Sequence, residues 1–591
     1  MIRLTPKNDN ESYIEYEGGT DEEYMEYTTM LDSVESRDFD AAVGKWHCGR
    51  IDAIRIHDKL NNPGVGDCMK LKPYGYQRQA IAFCIEHGYG LMRLSCGAGK
   101  TCIGLGAYLE LRNRQPDKKL VGVFVVKVSL KNQWLDEVKK FTDLKAGEIT
   151  TYKKATQNIT NRIKNRKKKL EDFIASGPDD SLMDFMDQVK AKKQEIVDME
   201  NEGKTAFDSM FDTEKYDIFV VNYEALTDDA VKEKLHEVHP EFWYVDEIDC
   251  IKSPTAKRTM AVCGFNDAKY RFGATATPIR KNPLDLYSIF HFIKPELFPK
   301  KSAFEQHYLK FYYGHISGSK NEEELAAKVE PYIFQRSMDE IADQLPEQLV
   351  YPVTCYFTER QEKMWQKIYS ELEDLQEQSQ ALCERFTLQQ LAQNAEYQRI
   401  KNAIAARQTF AQMQADSEEL LMNSSELAQR YVTGDGSSKV AACLAILEKI
   451  LASDQKCVIF SKYIGMQDIL KREIKKDKEL KGVIVDCITG SDSADARAKI
   501  LKEYNENPEH QVLLISDAGE SGLNLSSTRY MIEVDLADSA AKQTQRHGRI
   551  QRADSIHSKV FVYQLIVKDS YDDTIALRSI QKKAGYADRI L

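Results

Sequence analysis

The sequence predicts an α/β protein with two parallel sheets and helical segments inserted within and between them. Three observations carry this expectation. Short continuous apolar runs ending in polar residues recur over about 71–300 and again over 439–567, as strands buried on both faces require. Helical patterns rather than tight turns separate those runs, which favours parallel crossovers over hairpins. Between the two halves, residues 360–430 are rich in Gln, Glu and Leu and hold no Pro or Gly, a composition that specifies long helices.

At roughly 100–200 residues per domain, 591 residues make three or four domains. Hydrophobic residues at 42% and charged residues at 29% supply an ordinary globular core. No apolar run approaches the roughly 20 residues that cross a bilayer. Residues 1–19 lack the apolar segment of a secretory signal. A soluble, non-secreted, cytoplasmic protein with no membrane partner is therefore expected. The formal charge of −10 is uneven, because residues 1–40 hold 12 acids against 3 bases while the other 551 residues are nearly neutral. Any hold on a polyanion must come from local basic surfaces. Twelve cysteines form no CxxC pair and the 11 histidines no metal-ligand spacing, so reduced thiols and no zinc site are expected.

Taken in order, residues 1–70 open with the acidic stretch EYEGGTDEEYMEY (15–27) and read as a flexible arm or a small accessory domain. The first α/β unit spans 71–300, with strands at 121–126, 216–221 and 242–245. An insertion at about 151–215 interrupts it. Residues 151–170 carry eight bases and no acid, which reads as a solvated helix face or as a surface contacting phosphates. Residues 301–435 form a helical linker or protrusion, closed by the linker GDGSS (434–438). The second α/β unit, 436–591, has strands at 456–460, 483–488, 511–516 and 529–534 and ends in a helix. No repeat of fixed period is present.

The chemistry begins at CGAGKT (96–101), which follows the apolar GLMRLS and precedes the helical CIGLGAYLELRN. A strand, a glycine turn and a helix make the setting of a phosphate-binding loop. Gly97, Ala98 and Gly99 bring backbone N–H groups against phosphate oxygens, and the helix N-terminus adds its dipole. Lys100 is expected to reach the β- and γ-phosphates and Thr101 to ligate Mg²⁺. The full GxxxxGK[ST] pattern is not met, since Leu94 stands at its first glycine. FWYVDEID (242–249) is an apolar strand ending in paired acids. Asp246 is expected to hold Mg²⁺ through water, and Glu247 to orient and deprotonate the attacking water.

With GATATPIRKNPLDLYSIFHFIKPELF (273–298) added, GKT and DExx resemble motifs I to III of superfamily-two helicases. The closest similarity is to the Swi/Snf branch of ATP-driven double-stranded DNA translocases. Thr275-Ala276-Thr277-Pro278 replaces the usual TGTP, and His291 to Pro295 matches the phrase that follows. KPYGYQRQAI (72–81) resembles the Q-motif, with Gln77 expected to read adenine. SLKNQWLDEVKKF (129–141) and YDIFVVNYEAL (216–226) resemble motifs Ia and Ib, which line the DNA backbone in relatives. FQRSMDEIADQLPEQL (334–349) resembles the brace before the second lobe, while VIFSKYIGMQDIL (458–470) and ITGSDSADAR (488–497) resemble motif IV and its successor. SDAGESGLNL (516–525), with Gly522, resembles motif V. QRHGRIQR (545–552) fits motif VI with Gln545, Gly548, Arg549 and Arg552. Arg549 and Arg552, three apart on a helix, are expected to face one side and to act as arginine fingers on a γ-phosphate.

The resemblance covers 71–300 and about 330–575. It departs in DEID for DEAH or DEGH, in the insertion, and in residues 1–70. It implies two RecA-like P-loop lobes with ATP and Mg²⁺ at their interface. Lys100, Asp246, Glu247, Gln545, Arg549 and Arg552 are the implied catalytic residues. Nucleotide contacts fall on Gln77, Gly97 to Thr101, Asp246 and Gly522, and metal contacts on Thr101 and Asp246. The implied activity is a DNA-stimulated ATPase that tracks duplex DNA as a monomer with little sequence preference. RNA polymerase or another DNA-bound protein is the implied further partner. Alternatives are a strand-separating or branch-migrating helicase, an RNA polymerase-associated remodeller, and a non-enzymatic P-loop scaffold.

Overall fold

A computed structural model of the protein describes residues 2–8, 10–62, 64–95, 97–177, 182–279, 283–312, 315–337, 340–341, 345–356, 359–385, 399–403, 438–462, 464–516, 523–537, 540–552 and 555–568. These fall into two units, one of Met1–Leu94 with Gly99–Ile341 and one of Ser95–Ala98 with Ala342–Arg589.

The first unit begins with a small antiparallel sheet of β1 (Ile2–Pro6), β2 (Glu11–Tyr16), β3 (Asp38–Asp40) and β4 (Lys45–Gly49), ordered β1-β2-β4-β3. Helices Asp21–Asp32 and Arg50–Leu60 accompany it. Of the two readings open for residues 1–70, this is the accessory domain. Ile2, Ile14, Tyr27, Leu31, Cys48, Ala53 and Ile56 form its core. Its acids are compatible with folding because many lie where they stabilise. Asp21, Glu22 and Glu23 occupy the first turn of a helix, where the dipole favours negative charge, and Thr20 with Glu23 makes a capping box. Arg336 anchors the domain, donating from Nε and Nη2 to the two Asp58 carboxylate oxygens at 2.7 Å each.

The main sheet of this unit is wholly parallel. It contains β5 (Tyr89–Leu94), β6 (Gly122–Val126), β7 (Ala146–Ile149), β8 (Ile218–Asn222), β9 (Phe242–Asp246), β10 (Tyr270–Thr275) and β13 (Ile333–Arg336), ordered β13-β5-β10-β9-β6-β8-β7. Every residue of β6, β8, β9 and β10 is buried, as apolar strands between two helical layers must be. Four of the seven, β5, β6, β8 and β9, match strands expected from the sequence. The other three are short, or carry the Gly, Thr and Ala of GATAT, and so lack a distinct apolar run.

The insertion is a helical hairpin of Gln157–Ser176 and Leu182–Asp208, closed on Leu170, Val189 and Ile196. The basic run meets acids on the opposite helix: Arg162 pairs with Glu202, Arg166 with Glu195 and Lys167 with Glu200. Residues 151–215 as a whole hold 13 bases and 13 acids, so the insertion is neutral. Residues 301–435, expected to be helical, also contain the antiparallel pair β11 (Leu309–Tyr312) and β12 (His315–Ser319), besides β13 and β14 (Glu347–Cys355). The long helix Glu359–Arg385 agrees with the sequence. Residues 386–398, 404–437 and the expected C-terminal helix lie outside the described residues.

The second unit holds a six-stranded parallel sheet, ordered β14-β19-β18-β15-β17-β16. Its strands are β14 (Glu347–Cys355), β15 (Cys457–Ser461), β16 (Val485–Ile488), β17 (Val512–Ser516), β18 (Tyr530–Glu533) and β19 (Lys559–Val567). β15 to β18 are the four expected strands. β14 escapes sequence reading because Pro352 interrupts it, which an edge strand tolerates. Two clusters, one around Cys443, Leu447 and Met466 and one around Phe460, Tyr504 and Leu525, form its core. Among the described residues, no helix is long and apolar enough to cross a membrane.

Candidate nucleotide site

Of the expected residues, Gln77, Gly99, Lys100, Thr101, Asp246 and Glu247 belong to the first unit, about the carboxyl ends of β5 and β9, while Gly97 and Ala98 of the glycine turn fall in the second. β5 runs into the glycine turn, and helix Lys100–Asn113 follows. Gly97 and Gly99 both take left-handed φ values, +83° and +69°, which glycine adopts without the side-chain clash of other residues. A Cβ on Gly99 would lie 2.3 Å from Gln77 Nε2, so the turn and the Q-motif glutamine touch. Gln77 is buried on helix Gly75–His87, and its Oε1 accepts from the Tyr74 backbone N–H at 3.0 Å. Ala98 is buried, and its N–H donates to the Ser95 carbonyl at 3.3 Å. Lys100 is buried in the first helical turn, with Nζ donating to the Leu94 carbonyl at 3.3 Å. The Tyr244 hydroxyl donates to the Lys100 carbonyl at 2.7 Å and ties that turn to β9. Thr101 follows it, half-buried.

Asp246 closes β9 and is buried. Trp134 Nε1 donates to its Oδ2 at 3.0 Å, and the Glu247 N–H to its Oδ1 at 3.0 Å. Burial, reinforced by the Glu247 charge, pushes its carboxyl up to about 6, against the opposing pull of Lys100, Trp134 and Lys127. A desolvated carboxylate beside a second acid favours a nearby cation. This donor set, with the Thr101 hydroxyl at the helix start, fits Mg²⁺. Glu247 lies at φ +48° and ψ +49°, a left-handed conformation costing a non-glycine residue roughly 1–2 kcal/mol. The turn is held by the Tyr223 hydroxyl and by the Cys250 N–H, which donates to the Glu247 carbonyl at 2.9 Å. The DEID departure is bonded too: Thr275 Oγ1 donates to Asp249 Oδ1 at 3.1 Å, joining the ends of β9 and β10.

In the second unit, regular helix stops at His547. Arg549 and Arg552 are therefore not on one helix, as the sequence led us to expect. Turn bonds from the Gly548, Arg549, Ile550 and Gln551 N–H groups to carbonyls three or four residues back carry the chain on. Gln545, Arg549 and Arg552 are all half-buried. The Arg549 Nε is buried without a hydrogen-bond acceptor, an atom that an oxyanion fits. Gly522 and residues 280–282 lie outside the described residues.

Sequence reasoning missed the cluster that positions this segment. Glu533, at the end of β18, accepts from Arg546 Nη1 at 3.3 Å, His547 Nε2 at 3.2 Å and Gln564 Nε2 at 2.7 Å. Arg546 Nη1 also donates to the Asp535 carbonyl at 2.8 Å. Asp535 Oδ2 accepts from Ser461 Oγ and from the Lys462 N–H. The available signal was EVD directly after an apolar run, two acids too close to a strand end to be solvated.

Residues 76–421 match the SNF2-related domain, and residues 438–554 match the helicase conserved C-terminal domain. The chain belongs to the SNF2-related family. Its four-stranded N-terminal domain lies outside both matches. Among its relatives, an uncharacterized ATP-dependent helicase of Mycoplasma genitalium is 23% identical over 382 residues, 63% of this chain and 33% of that protein. The TATA-binding protein-associated factor mot1 of Aspergillus fumigatus is 26% identical over 389 residues, 61% of this chain and 20% of that protein. The matches thus span a third or less of these two relatives. Among solved structures, the Sulfolobus solfataricus SWI2/SNF2 ATPase core in complex with dsDNA is 21% identical, covering 85% of this chain and 89% of that one with a TM-score of 0.37.

Proposed function

We propose that this chain is an ATP-dependent translocase on double-stranded DNA that remodels DNA or displaces proteins bound to it. One observation carries the reading: Gln77, the Gly99–Lys100 helix start and the buried Asp246 meet at one sheet end. Gln77 hydrogen-bonds the adenine, and the glycine turn receives phosphate oxygens on backbone N–H groups. Lys100 places its ammonium on the β- and γ-phosphates. Thr101 and Asp246 would hold Mg²⁺, whose charge would stabilise the transferring phosphoryl group. A Glu247 carboxylate oxygen accepts the proton of the attacking water. Gln545, Arg549 and Arg552 of the second unit, with Gly522, supply the positive charge and hydrogen bonds that a phosphoryl transition state calls for.

Motifs Ia and Ib grip phosphates rather than bases, so sequence preference is low. The protein acts in the cytoplasm as a monomer, on duplex DNA carrying RNA polymerase or another bound protein. Sliding along an intact duplex avoids the roughly 1.4 kcal/mol per step needed to unstack base pairs. The test compares phosphate release with no nucleic acid, single-stranded DNA, duplex DNA and RNA, followed by displacement of a third strand from a triplex. Stimulation greatest with duplex, triplex displacement, and little unwinding of a forked duplex are expected. Efficient fork unwinding without triplex displacement would favour a helicase. Glu247→Gln is expected to keep ATP binding and lose nearly all turnover; parental turnover would remove Glu247 from its role.

A further inference from the structure

Two strand ends reach the turn that carries the water-activating carboxylate. Lys127 directly follows β6, which pairs with β9 through Val125 and Val245. Its Nζ lies 3.5 Å from Glu247 Oε2, in an ion pair whose side chains are 28% and 14% exposed. Tyr223 follows β8, the next strand along, and is buried. Its hydroxyl lies 2.6 Å from the Asp246 carbonyl oxygen and 3.2 Å from that of Glu247, donating to this pair of acceptors. Lys127 stands two residues before the segment that resembles motif Ia, and Tyr223 lies within the one that resembles motif Ib.

We propose that Lys127 is a positioning residue that restrains Glu247 until a phosphate of the duplex competes for its ammonium, while Tyr223 fixes the backbone of the turn. This rests on the duplex-translocase reading above. A carboxylate oxygen committed to an ammonium is held in one rotamer and is hindered from accepting the proton of a water. Lysine suits such a switch, since its point charge sits on a flexible stem and can pass from a carboxylate to a phosphate. Glu247 is further held by the left-handed turn and its Tyr223 and Cys250 bonds, so releasing the side chain changes the carboxylate without disturbing its backbone. Occupancy of the DNA surface and readiness for hydrolysis thereby become one event, carried by neighbouring parallel strands.

The test measures phosphate release by the full chain, with and without a duplex oligonucleotide, for the parental protein, Lys127→Gln, Lys127→Arg and Tyr223→Phe. Lys127→Gln is expected to raise kcat without DNA by about fivefold, the scale on which a partly buried ion pair acts. Its KM for ATP stays at the parental value, and its stimulation by duplex shrinks correspondingly. Lys127→Arg restores both quantities, and Tyr223→Phe weakens stimulation by a smaller factor. A merely structural lysine would lower both rates together or raise KM, and that result overturns the proposal. So does a Lys127→Gln protein with parental basal rate and stimulation, which leaves the translocase reading intact. A parental protein that hydrolyses ATP without responding to duplex removes that reading, and this inference with it.

Discussion

Replacing Arg546 with methionine tests whether the buried cluster of the second unit holds the QRHGRIQR segment. Arg546 is 1% exposed and Glu533 fully buried. The guanidinium gives one bond to the Glu533 carboxylate and one to the Asp535 carbonyl, and lies over the Phe460 ring at 5.1 Å. Burial pushes the Glu533 carboxyl up, but His547, Arg546 and Gln564 outweigh it and bring it down to about 2 from 4.5. At 1.36 kcal/mol per unit, the net of burial and these three partners is on the order of 3 kcal/mol at neutral pH. Arg546 supplies only part of this, but its removal also leaves a buried carbonyl without its donor, worth about 1–3 kcal/mol. A loss of about 3 kcal/mol follows, the low end of the range for breaking a buried ion pair. In a domain of this size that is about 6–12 °C in Tm. Calorimetry of the full chain reads it, with the first unit's own transition expected to stay in place. Because the folded value is depressed, the contribution is complete above the unfolded pKa near 4.5 and disappears as pH falls towards 2. Arg546→Met should therefore show a shallower acid dependence than the parent. Adding Glu533→Gln to Arg546→Met should recover about half of the loss, since the buried charge leaves with its partner. A shift below about 2 °C, or a double variant no more stable than the single one, refutes the reasoning.

Three further outcomes follow from the same geometry. Gly99→Ala sets a Cβ 2.3 Å from Gln77 Nε2 at φ +69° and should weaken nucleotide binding at least about tenfold by fluorescence titration; Gly482→Ala, at φ +101° with nothing nearby, should leave it unchanged. At Asp58, burial raises the carboxyl but the Arg336 and His57 bonds outweigh it, and the net shift is downward. Its stabilising contribution is therefore present above its unfolded pKa near 4 and lost on acidification below it, and Asp58→Asn should expose residues 1–62 to proteolysis at neutral pH. Neutralising Arg162, Arg166 and Lys167, already paired within the hairpin, should leave the salt dependence of duplex binding unchanged; a slope smaller by roughly 0.9 per residue would place them on phosphates.

The sequence by itself determined the two parallel sheets, the glycine turn after β5, the paired acids after β9 and the arginine-bearing segment after β18. Each is a local pattern: an apolar run, a turn that needs left-handed glycine, or charges at a strand end, all legible within a dozen residues. Order along the chain then tied them to one family. Only the tertiary structure decided that the acidic N-terminal stretch folds on its own core, that the basic helix meets its acids on the next helix, and that helix stops before Arg549. It also supplied Trp134 on Asp246 across 112 residues, Tyr244 on Lys100 across 144, and Lys127 on Glu247. Such contacts arise because parallel crossovers bring strand ends together from distant parts of the chain. A sequence records what each residue prefers beside its near neighbours, and the partner of a buried charge is chosen by the sheet that closes over it.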